Sequence, residues 1–167
     1  MEKQTVSLKQ CIAEATGKQI AMDGKDFIYL DDKTKISYSA ISEGNALLLK
    51  KSKDNIVNEI GKQCETAIIS GFPSQALGSE HFYQSDRDDQ INLMGLVTAG
   101  NDDLLKCGLK NDDETITWEW KPHTKEQLKA VFDDGAAYKK EQLIKSATLK
   151  AQISAATTVE ELDLIVW

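Results

Sequence analysis

The stretch that decides the fold begins with a run in which polar and apolar side chains alternate: Thr115-Ile116-Thr117-Trp118-Glu119-Trp120. Side chains of a β-strand point alternately to its two faces, so Ile116, Trp118 and Trp120 share one face. Three large apolar residues on one face need a cover, and the natural cover is the helix that follows. We therefore expect Trp118 and Trp120 to be core residues.

The clearest element of the chain is a long helix that is predicted to begin after Lys121-Pro122-His123-Thr124. Thr124 is a good helix cap, and Gln127 stands at the third position of a capping box. An apolar stripe follows at helical spacing, and it comprises Leu128, Phe132, Ala136, Leu143, Ala147 and Ala151. Leu128 and Phe132 are therefore further core candidates. Gly135 lowers helix stability by about 1 kcal/mol relative to Ala, which indicates close approach of another element.

Shorter elements complete a C-terminal α+β domain over residues 71–167. A strand at 104–109 pairs with the tryptophan strand as a hairpin, and strand-like segments lie at 75–77 and 81–83. Ser85 and Asp88 resemble a capping box that starts a short helix closing near Gly100. The pattern predicts short antiparallel strands packed on a long helix.

A connecting amphipathic helix is predicted over residues 46–70. Val57, Ile60, Cys64 and Ala67 follow one another at steps of three, four and three, which is heptad-like spacing, and Lys and Glu flank them. This seam either packs on the chain's own domain or pairs with a second copy. The second interpretation predicts a homo-oligomer, possibly a trimer.

The first 45 residues form a small N-terminal docking module in this interpretation. Ser7 caps a short helix that ends at Gly17, and β-prone runs at 26–30 and 35–39 flank a polar turn at 31–34. The overall fold class is α+β, with this helix and hairpin module first, the connecting helix next, and the C-terminal domain last.

Composition excludes several classes of function. The 167 residues carry a net charge of −7, and residues 81–167 hold 10 basic against 16 acidic residues. Such a surface disfavours binding to nucleic acid and to anionic membranes. No apolar run approaches the ~20 residues that span a bilayer, and residues 1–5 lack a signal-peptide core, so we expect synthesis in the cytoplasm.

No catalytic or metal-binding constellation emerges from the sequence. Cys11, Cys64 and Cys107 are widely spaced and odd in number, which is typical of reduced thiols rather than of disulfides or zinc ligands. His81 and His123 lack any nucleophile motif around them, and the Asp pairs fall in predicted turns and helix starts. We therefore expect no enzyme activity, no catalytic residue, no metal and no cofactor.

An ordered series of segments carries a resemblance to a known family. The segments are Gly78-Ser79-Glu80-His81-Phe82-Tyr83 through Leu93, Lys121-Pro122-His123-Thr124-Lys125-Glu126-Gln127-Leu128, Asp133-Asp134-Gly135-Ala136-Ala137-Tyr138, Leu149-Lys150-Ala151-Gln152-Ile153, and Ala155 through Leu162. Over about residues 55–167 the chain resembles a domain family of unknown function found in tailed bacteriophages and prophages, often encoded with tail-fibre and baseplate proteins.

The resemblance implies association with a phage tail, and it implies no defined active site. We therefore expect a non-catalytic structural component of the baseplate or tail-fibre base, located in the virion tail after synthesis in the host cytoplasm. Its partners would be other tail proteins, with no nucleic acid and no membrane. The alternative is a tail-fibre assembly chaperone that leaves before the particle is complete.

Overall fold

The computed structural model describes residues 7–113 and 115–167, and it confirms the α+β class. The elements in chain order are α1 (Leu8–Thr16), β1 (Ile20–Asp23), β2 (Asp26–Tyr29), α2 (Tyr38–Ile69), β3 (Phe72–Ser74), β4 (His81–Tyr83), α3 (Arg87–Ala99), β5 (Asp103–Lys110), β6 (Ile116–His123), α4 (Lys125–Ala155) and α5 (Val159–Asp163).

The chain forms two compact units. One contains the residues up to Ile60 together with Leu149–Trp167, and the other contains Gly61–Thr148. This division differs from the expected one of 1–45, 46–70 and 71–167. The boundaries fall inside α2 and α4 because each of these helices is about thirty residues long and supplies side chains to more than one cluster.

The first unit contains a hairpin in a different place from the predicted one. β1 pairs with β2 through a turn at Gly24, whose φ of 61° suits glycine because a Cβ would be strained there. The predicted second strand at 35–39 contributes only a bridge between Lys35 and Ile28. The reason is local: the Ser37 hydroxyl accepts a hydrogen bond from the Ala40 N–H and starts α2.

The seam of α2 packs within the chain. Ile60 is 2% exposed and lies in a cluster with Ile153 and Leu162, against which Val57 also packs. Cys64 is buried, and its thiol donates to the Gln142 carbonyl at 3.5 Å. Ala67 is half-buried. The interpretation in which this seam pairs with a second copy is therefore wrong for its two central residues.

The second unit is built on a four-stranded antiparallel sheet of order β3-β4-β5-β6. Its core contains Leu128 and Val131 of α4, Leu93 of α3 and Cys107 of β5, all buried. Phe72 and Tyr83 complete the buried set, with their ring centroids 5.9 Å apart. One face of the sheet thus packs against α3 and α4.

Caps and one glycine fix how the helices meet the sheet. The Thr124 hydroxyl accepts from the Gln127 N–H at 3.2 Å, as the sequence predicts for α4. α3 is capped by Asp86 and Asp89, one residue later than the expected Ser85 and Asp88. A Cβ on Gly135 would lie 2.7 Å from the Phe72 ring, so this glycine allows the close approach that the sequence indicates.

Candidate functional site: the outer face of the sheet

The tryptophans of β6 lie on the side of the sheet that faces away from the core. Trp118 pairs with Gly108 and Trp120 pairs with Lys106, whereas the core residue Cys107 pairs with Glu119. Directly opposed residues share a face, so the tryptophans and Cys107 lie on opposite faces. Trp120 is 66% exposed, and Trp118 is half-buried.

The expectation that α4 covers Trp120 is therefore wrong. α4 packs instead on the face that carries Cys107 and Tyr83, and its own Leu128 is fully buried there. Phe132 is half-buried and packs against the same cluster. Alternation correctly places the tryptophans together, but it does not tell which face meets the helix.

We call the face that carries the tryptophans the outer sheet face. Its positions, taken from the strand register, are Pro73, Phe82, Leu104, Lys106, Gly108, Lys110, Ile116, Trp118, Trp120 and Pro122. Leu104 is exposed, and Phe82 and Ile116 are half-buried. A contiguous exposed apolar patch of this kind is typical of a binding surface.

Local packing holds the Trp118 ring in place. Gly108 lies beneath it, and a Cβ added to this glycine would come within 3.0 Å of Trp118 Cε3 and would also meet the Ile116 side chain. Lys106 Nζ lies 5.8 Å from the Trp118 ring centroid, within reach of a cation–π interaction. The aromatic surface is therefore ordered before any partner arrives, which lowers the entropy lost on binding.

The outer sheet face carries two lysines although the chain as a whole is acidic. Its charged positions are Lys106 and Lys110, and none of its positions holds Asp or Glu, whereas the whole chain carries a net charge of −7. Lys106 also acts on Asp89 at the start of α3, where its charge opposes the rise in the Asp89 pKa that burial causes. Lys106 therefore already has an acidic neighbour within the chain.

The inner face holds a pair of neutral polar groups. His123 Nδ1 lies 2.9 Å from the Lys121 carbonyl, which can only accept, so this nitrogen carries the proton. His123 Nε2 then accepts from the Tyr83 hydroxyl at 2.9 Å. Burial lowers the pKa of His123 and raises the pKa of Tyr83, so both side chains stay uncharged.

A second chain of hydrogen bonds lies on the same face. Lys121 Nζ lies 3.1 Å from His81 Nε2 and 2.9 Å from Glu119 Oε1, and His81 Nδ1 donates to the Ser79 carbonyl at 2.9 Å. The sheet thus brings together two histidines that lie far apart in the sequence. The two histidines share one face of the sheet with Lys121 and Tyr83. This arrangement is visible only once the pairing of β4 with β5, and of β5 with β6, is known.

This inner network has the character of internal support. His81 and His123 are both buried, and among the described residues no buried side-chain nitrogen or oxygen lacks a hydrogen-bond partner. Buried polar groups whose hydrogen bonds are satisfied stabilise a fold, because each would be costly to leave unpaired. Neither histidine lines the groove between α3 and α4 or the open depression beside Ser74 and Glu141.

A groove of ≈ 430 Å³ lies between α3 and α4 in the second unit. Its apolar lining includes Ile91 and Met94, which are exposed, and Phe132. Arg87 and Lys139 also line it. The groove is thus a second apolar surface feature of this unit, and its lining includes the aromatic residues Phe72, Phe132 and Tyr138.

The cysteines are free and buried. Burial raises the pKa of Cys11 and of Cys107, so neither thiol is poised to act as a thiolate nucleophile. Within residues 7–113 and 115–167, no group of three or more His, Cys, Asp or Glu side chains is arranged to hold a metal ion. No helix in this described part combines the length and the hydropathy needed to span a bilayer.

Comparison with protein families gives a match over most of the chain. The model of a domain of unknown function, DUF4376, matches residues 51–166. The chain belongs to the DUF4376 family. The DUF4376 match covers all of the sheet, α3 and α4, so the outer sheet face lies inside the family domain. Neither the curated proteins nor the solved structures that were compared contain a match to the chain.

Proposed function

We propose that this DUF4376 protein is a non-catalytic structural component of a bacteriophage tail, at the baseplate or the tail-fibre base, that acts through protein–protein contacts. The observation that carries the proposal is the exposed aromatic surface formed by Trp118, Trp120 and their neighbours on the outer sheet face. The link to phage tails rests on the resemblance of the ordered segments between residues 78 and 162. The proposed location is the virion tail, after synthesis in the host cytoplasm.

The composition of the outer sheet face suits a protein partner. Tryptophan is among the residues that contribute most to binding when a partner excludes water from it. Leu104, Ile116 and Pro122 extend the aromatic patch with aliphatic surface, which packs against side chains. With only Lys106 and Lys110 as cations on this face, it offers few phosphate contacts, which disfavours nucleic acid.

The inner network supports a non-catalytic role. A general base must reach the proton that it abstracts, and a nucleophile must meet its substrate. His123 and Tyr83 are enclosed and bonded to each other at 2.9 Å. His123 and Tyr83, whose side chains are of types that can act in acid–base catalysis, are therefore engaged in stabilising the sheet.

Mass spectrometry of purified particles of the encoding phage tests the proposal. Stoichiometric copies of the chain in intact particles are the expected result. A chain that is absent from particles but present on immature fibres would instead be an assembly chaperone, and the structural role would be wrong. Absence from both would contradict the phage-tail proposal entirely.

A matched pair of variants connects this test to the outer sheet face. Trp120→Glu places a charge in the aromatic patch, and we expect it to lower incorporation into particles. Leu143→Glu changes a residue of α4 that is 51% exposed and lies outside the patch, and it serves as the control. Equal incorporation of both variants would show that the outer sheet face does not carry the binding.

A further inference from the structure

The groove between α3 and α4 leaves apolar side chains of the second unit uncovered. Ile91 is 53% exposed and Met94 is 52% exposed, while the buried Phe72 and Leu93 line the same groove from the core. Its volume of ≈ 430 Å³ lies within the range of about 300–1,000 Å³ that small-molecule sites occupy. The groove therefore has the size and the apolar lining of a site for a small molecule.

Small residues of α4 keep the groove open. Gly135 and Ala136 both line it, and a Cβ added to Gly135 would come within 2.7 Å of the Phe72 ring. Because the Ala136 methyl group lies at the groove and is exposed, a large side chain at this position would occupy part of the groove without entering the core.

The charged side chains at the groove are all cationic. Among the described residues that line it, the charged ones are Arg87 and Lys139, and none is Asp or Glu, although the whole chain carries a net charge of −7. Two cations that share one groove repel each other, and an anion bound between them would relieve that repulsion. The groove thus combines apolar surface with positive charge.

Neither cation is neutralised by the chain itself. The Arg87 guanidinium forms no ion pair with any residue in the described part of the chain. Lys139 Nζ donates to Gln90 Oε1 at 3.0 Å, and this amide oxygen is a neutral acceptor that leaves the ammonium charge uncompensated.

The helical neighbours of the two cations are uncharged as well. Side chains three and four positions apart on a helix lie next to each other. The residues at these positions are Gln90 and Ile91 after Arg87 in α3, and Gly135, Ala136, Gln142 and Leu143 around Lys139 in α4. Both positive charges are therefore available to a ligand.

A hydrogen-bonded chain holds Lys139 in place at the groove. Gln90 Nε2 donates to the Ser85 carbonyl at 2.9 Å, which fixes the amide so that its oxygen accepts from Lys139. An ammonium that is positioned before binding loses less side-chain entropy when it pairs with an anion. Because the Gln90 amide is already engaged at both ends, it cannot also pair with the backbone of a bound peptide.

We propose that this groove binds a small carboxylate with an apolar chain, of the medium-chain fatty acid class. The chain lies against Ile91, Met94 and Phe132, and the carboxylate accepts hydrogen bonds from Lys139 and Arg87. A hydrocarbon chain needs no hydrogen-bond partner in an apolar groove, whereas a peptide would leave backbone groups unpaired there.

The inference goes beyond the proposed function and does not depend on it. None of the positions of the outer sheet face is among the described residues that line the groove. The two surfaces can therefore be tested separately, one with a carboxylate ligand and the other by incorporation into particles.

Isothermal titration calorimetry of the full-length chain with decanoate, below the concentration at which decanoate forms micelles, measures the binding. Acetate provides the carboxylate without the chain, and decyltrimethylammonium provides the chain with the opposite charge. A leucine-rich tetrapeptide with a free carboxyl terminus is the competing probe.

Two matched pairs of variants locate the site. Lys139→Gln removes a charge at the groove, and Lys140→Gln removes the charge of the next residue, which does not line it. Ala136→Phe fills the groove, and Ala137→Phe places the same ring at the next exposed position of α4, outside the groove. Arg87→Gln tests the second cation, and circular dichroism checks that each variant keeps its fold.

We expect saturable binding of one decanoate per chain, with much weaker binding of acetate and of decyltrimethylammonium. Preference for the anion would run against the net charge of the chain, so it would report the local charge of the groove. Lys139→Gln and Arg87→Gln should each raise the Kd by about five- to tenfold. Ala136→Phe should abolish binding, while Lys140→Gln and Ala137→Phe should bind as the wild type does.

Four results would overturn the inference. These are no saturable binding of decanoate, equal or tighter binding of decyltrimethylammonium, and an unchanged Kd in Lys139→Gln together with Arg87→Gln. The fourth is tighter binding of the tetrapeptide than of decanoate, lost in Ala136→Phe, which would assign the groove to a protein segment. Retained decanoate binding in a folded Ala136→Phe variant would likewise place the ligand elsewhere on the chain.

Discussion

The two faces of the β3–β6 sheet reverse the usual relation between hydrophobicity and burial. Along β6, the inner face holds the polar Lys121 and His123, which are half-buried and buried, while the outer face holds Trp118 and the exposed Trp120. The inner face is closed because hydrogen bonds satisfy its polar groups and because α4 packs against its apolar residues. The outer face is open, so its apolar area remains available to stabilise a complex.

The largest expected effect is a difference in the free energy of unfolding between a core substitution and a surface substitution on the same helix, α4. Leu128→Ala removes a fully buried side chain on the inner side, and we expect it to lower the free energy of unfolding by about 2–5 kcal/mol. Leu143→Ala in the same helix, at an exposed position, should change it by less than about 0.5 kcal/mol. Urea unfolding measures both, and equal losses would contradict the assignment of the inner face as the core.

The second prediction tests the polar pair of the inner face. Tyr83→Phe keeps the aromatic ring but leaves His123 Nε2 without its donor, and we expect a loss of about 1–3 kcal/mol in the free energy of unfolding. Tyr138→Phe is the matched control, since the Tyr138 ring centroid lies 6.5 Å from that of Phe72 and the Tyr138 side chain is only partly buried. A Tyr83→Phe variant as stable as the wild type would show that this hydrogen bond contributes nothing.

The third prediction compares one glycine from each face. Gly135→Ala presses a Cβ against the buried Phe72 ring, and we expect a net loss of about 1–2 kcal/mol because overpacking exceeds the gain in helix propensity. Gly108→Ala pushes on Ile116 and Trp118, which can move outward, so its loss should be smaller. The reverse order in urea unfolding would mean that the outer face is the more tightly packed one.

The fourth prediction concerns pH. Burial lowers the pKa of His123, so below its ordinary value of about 6.5 the unfolded chain binds a proton that the folded chain excludes. Stability is therefore complete above that pH and falls as the pH drops toward the folded pKa, with a slope of at most about 1.4 kcal/mol per pH unit. In His123→Asn this part of the slope should vanish; unchanged slopes would contradict a buried neutral His123.

Local signals in the sequence were sufficient for the starts of α1 and α4 and for the β5–β6 hairpin, whereas α2 begins at Tyr38 rather than near residue 46. Ser7 and Thr124 cap helices where their hydroxyls are expected to do so, and alternation correctly groups Trp118 with Trp120. The N-terminal hairpin differs from the expected one because its tight turn lies at Gly24, between the paired residues Asp23 and Asp26, and not in the polar run at 31–34. Helix caps and hairpin turns are thus determined by interactions among residues that are close together in the sequence.

The candidate site could not be predicted in the same way. Hydrophobicity alone assigns the tryptophan face to the core, and only the pairing of β6 with β5 shows that Lys121 and His123 lie on the covered side. The polar residues tolerate that side because His81 and Tyr83, which belong to β4, pair with Lys121 and His123. Nonlocal partners of this kind leave no signal at fixed spacing in a sequence.

Solvent access to Trp120 tests the central claim most directly. With Trp118→Phe and Trp167→Phe, Trp120 is the sole tryptophan of the chain, and acrylamide quenching of its fluorescence reports its exposure. We expect ready quenching at low protein concentration, because the outer sheet face is open. A Trp120 that is shielded at every concentration, in a chain shown to be monomeric, would contradict the account, since the tryptophan face would then be covered within the chain.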